Sequence, residues 1–165
     1  MINNKQVIEL MNICEFQKQE KFQLLYRASE DGFNSDNFHQ KCDGIKNTLT
    51  IIKSTNGNIF GGYTGAAWSS SGDYISDTNS FIFSLINQSN DPFKAKCTDN
   101  QYEIVGNESH GPTYCSAFHI SSNSNTNLNS FSSFGSYIHG TYGDAILAGS
   151  KNFQTVEIEV FEKFD

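Results

Sequence analysis

The stretch TLTIIKSTNGNIFGGY, residues 48–63, decides the fold. In its first six residues (TLTIIK, 48–53) all but Lys53 are β-branched or apolar, and NIFGGY (58–63) resumes the apolar pattern after Asn56-Gly57. Asn-Gly between two such runs predicts a β-hairpin closed by a type I′ turn, because that turn needs positive φ at both central residues. Working toward the C-terminus, FIFSLI (81–86) is almost wholly apolar and reads as a central strand. Asn90-Asp91-Pro92 turns the chain, and 93–97 pairs back against it. Further strands are expected at 101–105 and 117–121. The last is 153–161, where Val156, Ile158 and Val160 alternate with Thr155, Glu157 and Glu159. Because that strand lies so late in the chain, its removal is expected to be destructive.

Toward the N-terminus, FQLLYR (22–27) reads as a strand, followed by a turn at Asp31-Gly32. Ser35-Asp36 is read as the N-cap of a short helix that turns Phe38 and Cys42 inward. Val7, Ile8, Leu10, Met11 and Cys14 fall at helical spacings, which predicts a helix over 4–15. Short strands dominate and no βαβ alternation calls for a parallel sheet. The expected fold is mainly β with flanking helices (α+β): an antiparallel two-sheet β-sandwich at 21–165, with a helical segment at 1–20 packing on it.

Composition narrows the function. A chain of 165 residues fits one domain. Hydrophobic residues make up only 37%, but 14 Phe and 7 Tyr supply bulky material suited to pleated sheets. The net charge of -7 argues against nucleic-acid and anionic-membrane partners, which reward Lys and Arg. The first 21 residues carry polar residues throughout and have no continuous apolar run, unlike a signal peptide, and no apolar run is long enough for membrane insertion. A cytoplasmic protein with free thiols at Cys14, Cys42, Cys97 and Cys115 is therefore expected. The tract SSNSNTNLNSFSS (121–133) reads as a solvated loop.

An ordered set of segments resembles a known family, the TLDc domains. LYRASEDGF (25–33) is similar to their opening strand and turn, with Phe38-His39 and Cys42-Asp43 following at the family's distance. TLTIIK, Phe60-Gly61-Gly62-Tyr63, Trp68, FIFSL, Gly111-Pro112-Thr113-Tyr114 and EIEVF (157–161) continue the match to about residue 162. Where many relatives have a glycine run and an acidic pair, this chain has Cys115-Ser116-Ala117-Phe118-His119. The resemblance implies a β-sandwich flanked by helices and a role in protection against oxidative damage. It also implies a protein partner, with peripheral subunits of the vacuolar proton-pumping ATPase (V-ATPase) as the family's candidate. Asp31, Gly32, Gly61, Gly62, Gly111, Glu157 and Glu159 are the family-motif positions expected to serve partner binding or the fold that supports it.

The same residues have other chemical readings. Glu157 and Glu159, two apart on a strand and about 6.6 Å from each other along it, have the spacing of a hydrolytic carboxylate pair. The competing reading is a solvated or partner-facing strand edge, and a structural or partner contact is favoured, for instance as an acceptor for backbone N–H groups or a basic side chain. Asp31 is expected to bond back to nearby amides in its turn. Gly61-Gly62 marks a bulge or a close approach of another backbone. His39 and Cys42, at i and i+3, make half a metal site with no visible second half, and Cys115 and His119 have no ligand spacing. Cys97, after Lys94 and Lys96, is the thiol best placed for redox chemistry. Trp68 is either a core anchor or the stacking platform of a carbohydrate-binding sandwich. No catalytic residue, metal or cofactor is assigned, and a non-enzymatic interaction domain leads over a redox or hydrolytic enzyme.

Overall fold

A computed structural model describes residues 1–96, 104–114, 117–133 and 142–164. Two antiparallel sheets of six strands face each other. The first runs in the order β1 (Lys21–Arg27), β12 (Thr155–Phe164), β2 (Thr48–Ser54), β3 (Ile59–Thr64), β5 (Phe81–Ile86), β6 (Phe93–Ala95). The second runs β11 (Asn152–Phe153), β10 (Ser130–Ser132), β9 (Phe118–Ser121), β8 (His110–Tyr114), β7 (Ile104–Asn107), β4 (Ser71–Ile75). Helices α1 (Asn4–Cys14), α2 (Ala28–Asp31) and α3 (Ser35–Cys42) pack around them. The expected antiparallel sandwich with flanking helices is the architecture found.

The main core lies between the sheets. Ile52, Phe60, Ile82, Ile158 and Val160 of the first sheet meet Ile104, Tyr114, Phe118, Ile120 and Phe153 of the second. Phe38, Cys42 and Trp68 close one side, while Ile146, Leu147 and Ala148 join the same cluster. A second cluster covers the other face of the first sheet, where Leu10 and Cys14 of α1 sit among Leu49, Ile51, Tyr63, Phe81, Phe83 and Leu85. Burial on both faces explains why β2, β3 and β5 read as continuous apolar runs rather than alternating ones.

Several local expectations change. The β2–β3 hairpin forms at Asn56-Gly57, but only Gly57 has positive φ (86°). The Gly57 amide donates to the Ser54 carbonyl, and Ser54 and Asn58 close the loop. The result is a three-residue connection with glycine in the left-handed position rather than type I′. Asn34, not Ser35-Asp36, caps α3 by accepting from the Asp36 amide. Asn3 and Gln6 form a reciprocal capping box on α1, which ends at Cys14 with Glu15 in the left-handed conformation. β5 is not central but second from the edge, with β6 outside it. Of the strands expected at 93–97 and 101–105, Cys97 and residues 101–103 lie outside the described residues.

The terminal strand departs most. β12 lies inside the sheet between β1 and β2 and is not an edge. A register irregularity between Thr155 and Glu157 turns Val156 out to 49% exposure, so the strict alternation fails at its first residue. The Asn/Ser tract is not simply solvated either. Ser121, Ser124, Ser130 and Ser132 are buried, and Ser124 Oγ lies 2.7 Å from Thr155 Oγ1. The tract thus alternates buried serines, which join the edge of the core, with exposed residues such as Asn125 and Leu128.

Gly61 and Gly62 both sit where a side chain would collide, Gly61 with its own sheet and Gly62 with the opposite one. Neither is a bulge residue, since the register irregularity of β3 falls between Ile59 and Phe60. A Cβ on Gly61 would lie 1.9 Å from the Thr50 carbonyl oxygen, the close backbone approach expected. A Cβ on Gly62 would lie 2.5 Å from the Tyr114 ring of the opposite sheet. Gly62→Ala should therefore cost about 1–3 kcal/mol through overpacking. The penalty should shrink in a Tyr114→Leu background if the ring is the obstacle, which a double-mutant cycle by urea unfolding measures. Equal penalties in both backgrounds would contradict this contact.

Candidate functional site

The structure gathers four of the seven motif positions at one end of the first sheet. Asp31, Gly32, Glu157 and Glu159 meet around α2, a single helical turn that replaces the simple turn expected at Asp31-Gly32. The Gly32 amide donates to the Ala28 carbonyl, and φ of 105° at Gly32 ends the turn, a conformation that suits glycine. The hydroxyl of buried Tyr26 donates to the Gly32 carbonyl at 2.7 Å and pins the exit of the turn to β1.

The carboxylates hold this turn from three sides. Glu157 accepts from the Ser29 amide at 3.0 Å and from the Ser29 hydroxyl, satisfying donors in the first turn of α2. Glu159, with its side chain 5% exposed, accepts from Arg27 Nε at 2.9 Å across the β1–β12 ladder. Arg27 also pairs with the exposed Glu30 at 2.9 Å. Asp31 bonds back to the Arg27 amide at 2.8 Å and lies 3.0 Å from Lys41 Nζ. The Arg27 amide first, and Lys41 in support, hold the Asp31 carboxyl below the usual carboxylate range against the opposing effect of burial. Of the structural or partner contact expected of Glu157 and Glu159, the structural one is seen: they accept from the Ser29 amide and from Arg27. Sequence reasoning did not single out Arg27 or Ser29, whose partners Glu159 and Glu157 are brought to them by the pairing of β1 with β12, or Lys41, which reaches Asp31 from α3.

The remaining motif residues lie elsewhere. Gly61 and Gly62 are in β3, and Gly111 is in β8, where a Cβ would come within 3.3 Å of Ile120. His39 is not half of a metal site. Its Nε2 faces the carbonyls of Asn107 and His110 at 2.8 and 3.0 Å and must donate there, while Nδ1 lies 2.7 Å from Asp43 Oδ1. Cys42 is wholly buried in the core. Among the described residues, no group of three or more His, Cys, Asp or Glu is arranged to hold a metal ion. Trp68 is 1% exposed, and its indole N–H donates to Thr48 Oγ1 at 2.8 Å. That burial removes it as a sugar-stacking platform.

Thiol chemistry divides along the same lines. Burial pushes the Cys14 thiol up to about 12 and raises Cys42 as well, so neither supplies thiolate at neutral pH. Cys97 and Cys115 lie outside the described residues.

The outer side of the second sheet carries a cavity of about 530 Å³ lined by Tyr74, Val105, His110, Thr113, His119 and Phe131, among others. The His110 and His119 rings are 4.0 Å apart, and His119 meets Phe131 edge-on. Burial, reinforced by neighbouring His110, lowers His119 from 6.5 to about 4. Burial lowers His110 too, with His39 contributing. The His119 imidazole is thus uncharged at neutral pH.

The unfolded chain takes up a proton on His119 near pH 6.5, whereas the folded chain resists until about 4. Stability should therefore fall as pH drops from 6.5 to 4. His119→Phe should flatten that part of the profile of melting temperature against pH, while an unchanged slope would show that His119 is not its source.

The family comparison agrees with the geometry. The model of the TLDc domain matches residues 1–164 and so includes α1 along with the sandwich. No curated protein matches the chain in a sequence search. No helix among the described residues is long and apolar enough to cross a membrane. From the match over nearly its whole length and the two-sheet fold with its TLDc-like motifs, the chain belongs to the TLDc domain family.

Proposed function

We propose that this chain is a non-enzymatic protein-interaction domain of the TLDc stress-protection type, acting in the cytoplasm. Its proposed partner is the peripheral part of the vacuolar proton-pumping ATPase, and its proposed role is regulation of that pump and resistance to oxidative damage. The observation that carries this reading is the use made of the acidic pair. Glu157 and Glu159, the residues best spaced for hydrolysis, are engaged by donors of the chain itself, at Ser29 and Arg27. A carboxylate committed to holding a turn is a poor general acid or nucleophile, because freeing it would unfasten α2.

What α2 offers outward is Glu30, whose side chain is 64% exposed beside Arg27. An exposed carboxylate on a fastened turn suits a basic surface on a partner, where charge complementarity sets encounter rate and register. Glu159 is the wrong residue for testing this. It is buried against Arg27, and reversing its charge would disrupt the fold before it reported on binding.

The test is a pull-down from cell lysate with the wild-type domain beside Glu30→Lys, read by mass spectrometry after both proteins are shown to be folded. Recovery of peripheral pump subunits by wild type but not by the variant is expected. Failure of wild type to recover them would contradict the assignment of this partner. Equal recovery by both proteins would move the contact away from α2.

A further inference from the structure

The Asn56-Gly57 pair that marks the hairpin is also the sequence most prone to spontaneous loss of a side-chain amide. In that reaction the Gly57 nitrogen, after losing its proton, attacks Asn56 Cγ. A C–N bond forms, ammonia departs with the side-chain nitrogen, and water opens the cyclic imide to aspartate or isoaspartate. The native hairpin opposes each part of this. The Gly57 N–H is held by the Ser54 carbonyl at 3.0 Å. The Asn56 amide nitrogen donates to the Ala148 carbonyl at 3.1 Å and to Ser150 Oγ at 3.0 Å. Gly149 packs so closely that a Cβ there would lie 2.7 Å from Asn56 Cβ, which limits how the side chain can swing.

The same contacts fix what the modification would break. The Ala148 carbonyl also accepts from Ser54 Oγ at 2.8 Å, and the Ile146 carbonyl accepts from Asn58 at 3.2 Å. Together these bonds tie the hairpin to residues 145–150, which place Ile146, Leu147 and Ala148 in the main core. A carboxylate at position 56 would set oxygen against the Ala148 carbonyl oxygen, and the Ser150 hydroxyl could meet it only by giving up its own donation to the Asn152 carbonyl. Isoaspartate would also lengthen the backbone inside a three-residue connection.

We propose that Asn56 is a deamidation site held closed by the native fold. Amide loss follows transient opening of the β2–β3 turn and, once complete, partly releases the 145–150 segment from the hairpin, leaving it held by Ser54 and Asn58. Conditions that open the turn more often convert that opening into a permanent change.

Purified protein is incubated at mildly alkaline pH, folded or in urea, and Asn56 is followed by peptide mass spectrometry that resolves isoaspartate. Conversion in the folded protein is expected to be slower by about tenfold or more, since it must pass through local opening. Equal rates would overturn the protective lock. Asn56→Asp is expected to melt below wild type and to show faster hydrogen exchange at the Ile146 and Gly149 amides. Melting and exchange identical to wild type would overturn the release. Should that variant fail to fold, the wild-type rates in the folded and unfolded states still decide whether the lock exists.

Discussion

Strand β12 is hydrogen-bonded along both edges, to β1 from Lys21↔Phe164 to Arg27↔Glu159 and to β2 from Thr155↔Ser54 to Glu162↔Thr48. Without it, β1 has no neighbour in the first sheet, and β2 exposes a row of buried amides and carbonyls to water. Ile158 and Val160 place its inward side in the main core. Its acidic side chains fasten α2, whose Gly32 exit leads into α3. Through Phe38 and Cys42, α3 in turn reaches Trp68 and Tyr114 between the sheets. Backbone pairing, core packing and the charged cluster thus depend on one strand that enters the sheet from the far end of the chain.

Much of this was legible because the relevant physics is local. Apolar runs flanked by turn residues located β1, β2, β3 and β5, alternation located β12, and helical spacing located α1 and α3. The strands missed were those whose residues say little alone. β4 is Ser-Gly-Asp-Tyr-Ile and mostly exposed, β8 carries Gly111-Pro112, and β10 is three residues long. They are strands because their backbones pair with neighbours in the second sheet, β4 with β7, β8 with β7 and β9, and β10 with β9 and β11. The turn at Asn56-Gly57 was misjudged for a similar reason. The glycine signal is real, but Asn56 is recruited by Ala148 and Ser150, which are distant in sequence.

For the candidate site the divide is sharper. The carboxylates and glycines at α2 could be picked out by their match to a family pattern. Their partners could not, because Arg27 reaches Glu159 and Ser29 reaches Glu157 only through the pairing of β1 with β12. The interior position of β12 was likewise invisible, since an alternating strand looks the same at an edge as between two neighbours. The Asn/Ser tract shows the limit of compositional reading: a sequence that looks solvated is partly buried because its hydroxyls and amides satisfy one another, as at Ser121–Asn127 and Ser121–Ser130.

The dependence of the fold on β12 is most directly measured by native-state hydrogen exchange resolved by residue. The Ile158 and Val160 amides should exchange only with global unfolding, far more slowly than those of the exposed edge strand β4. If instead they exchanged as fast as β4, β12 would be a fraying appendage, and the account of the site it fastens would be wrong.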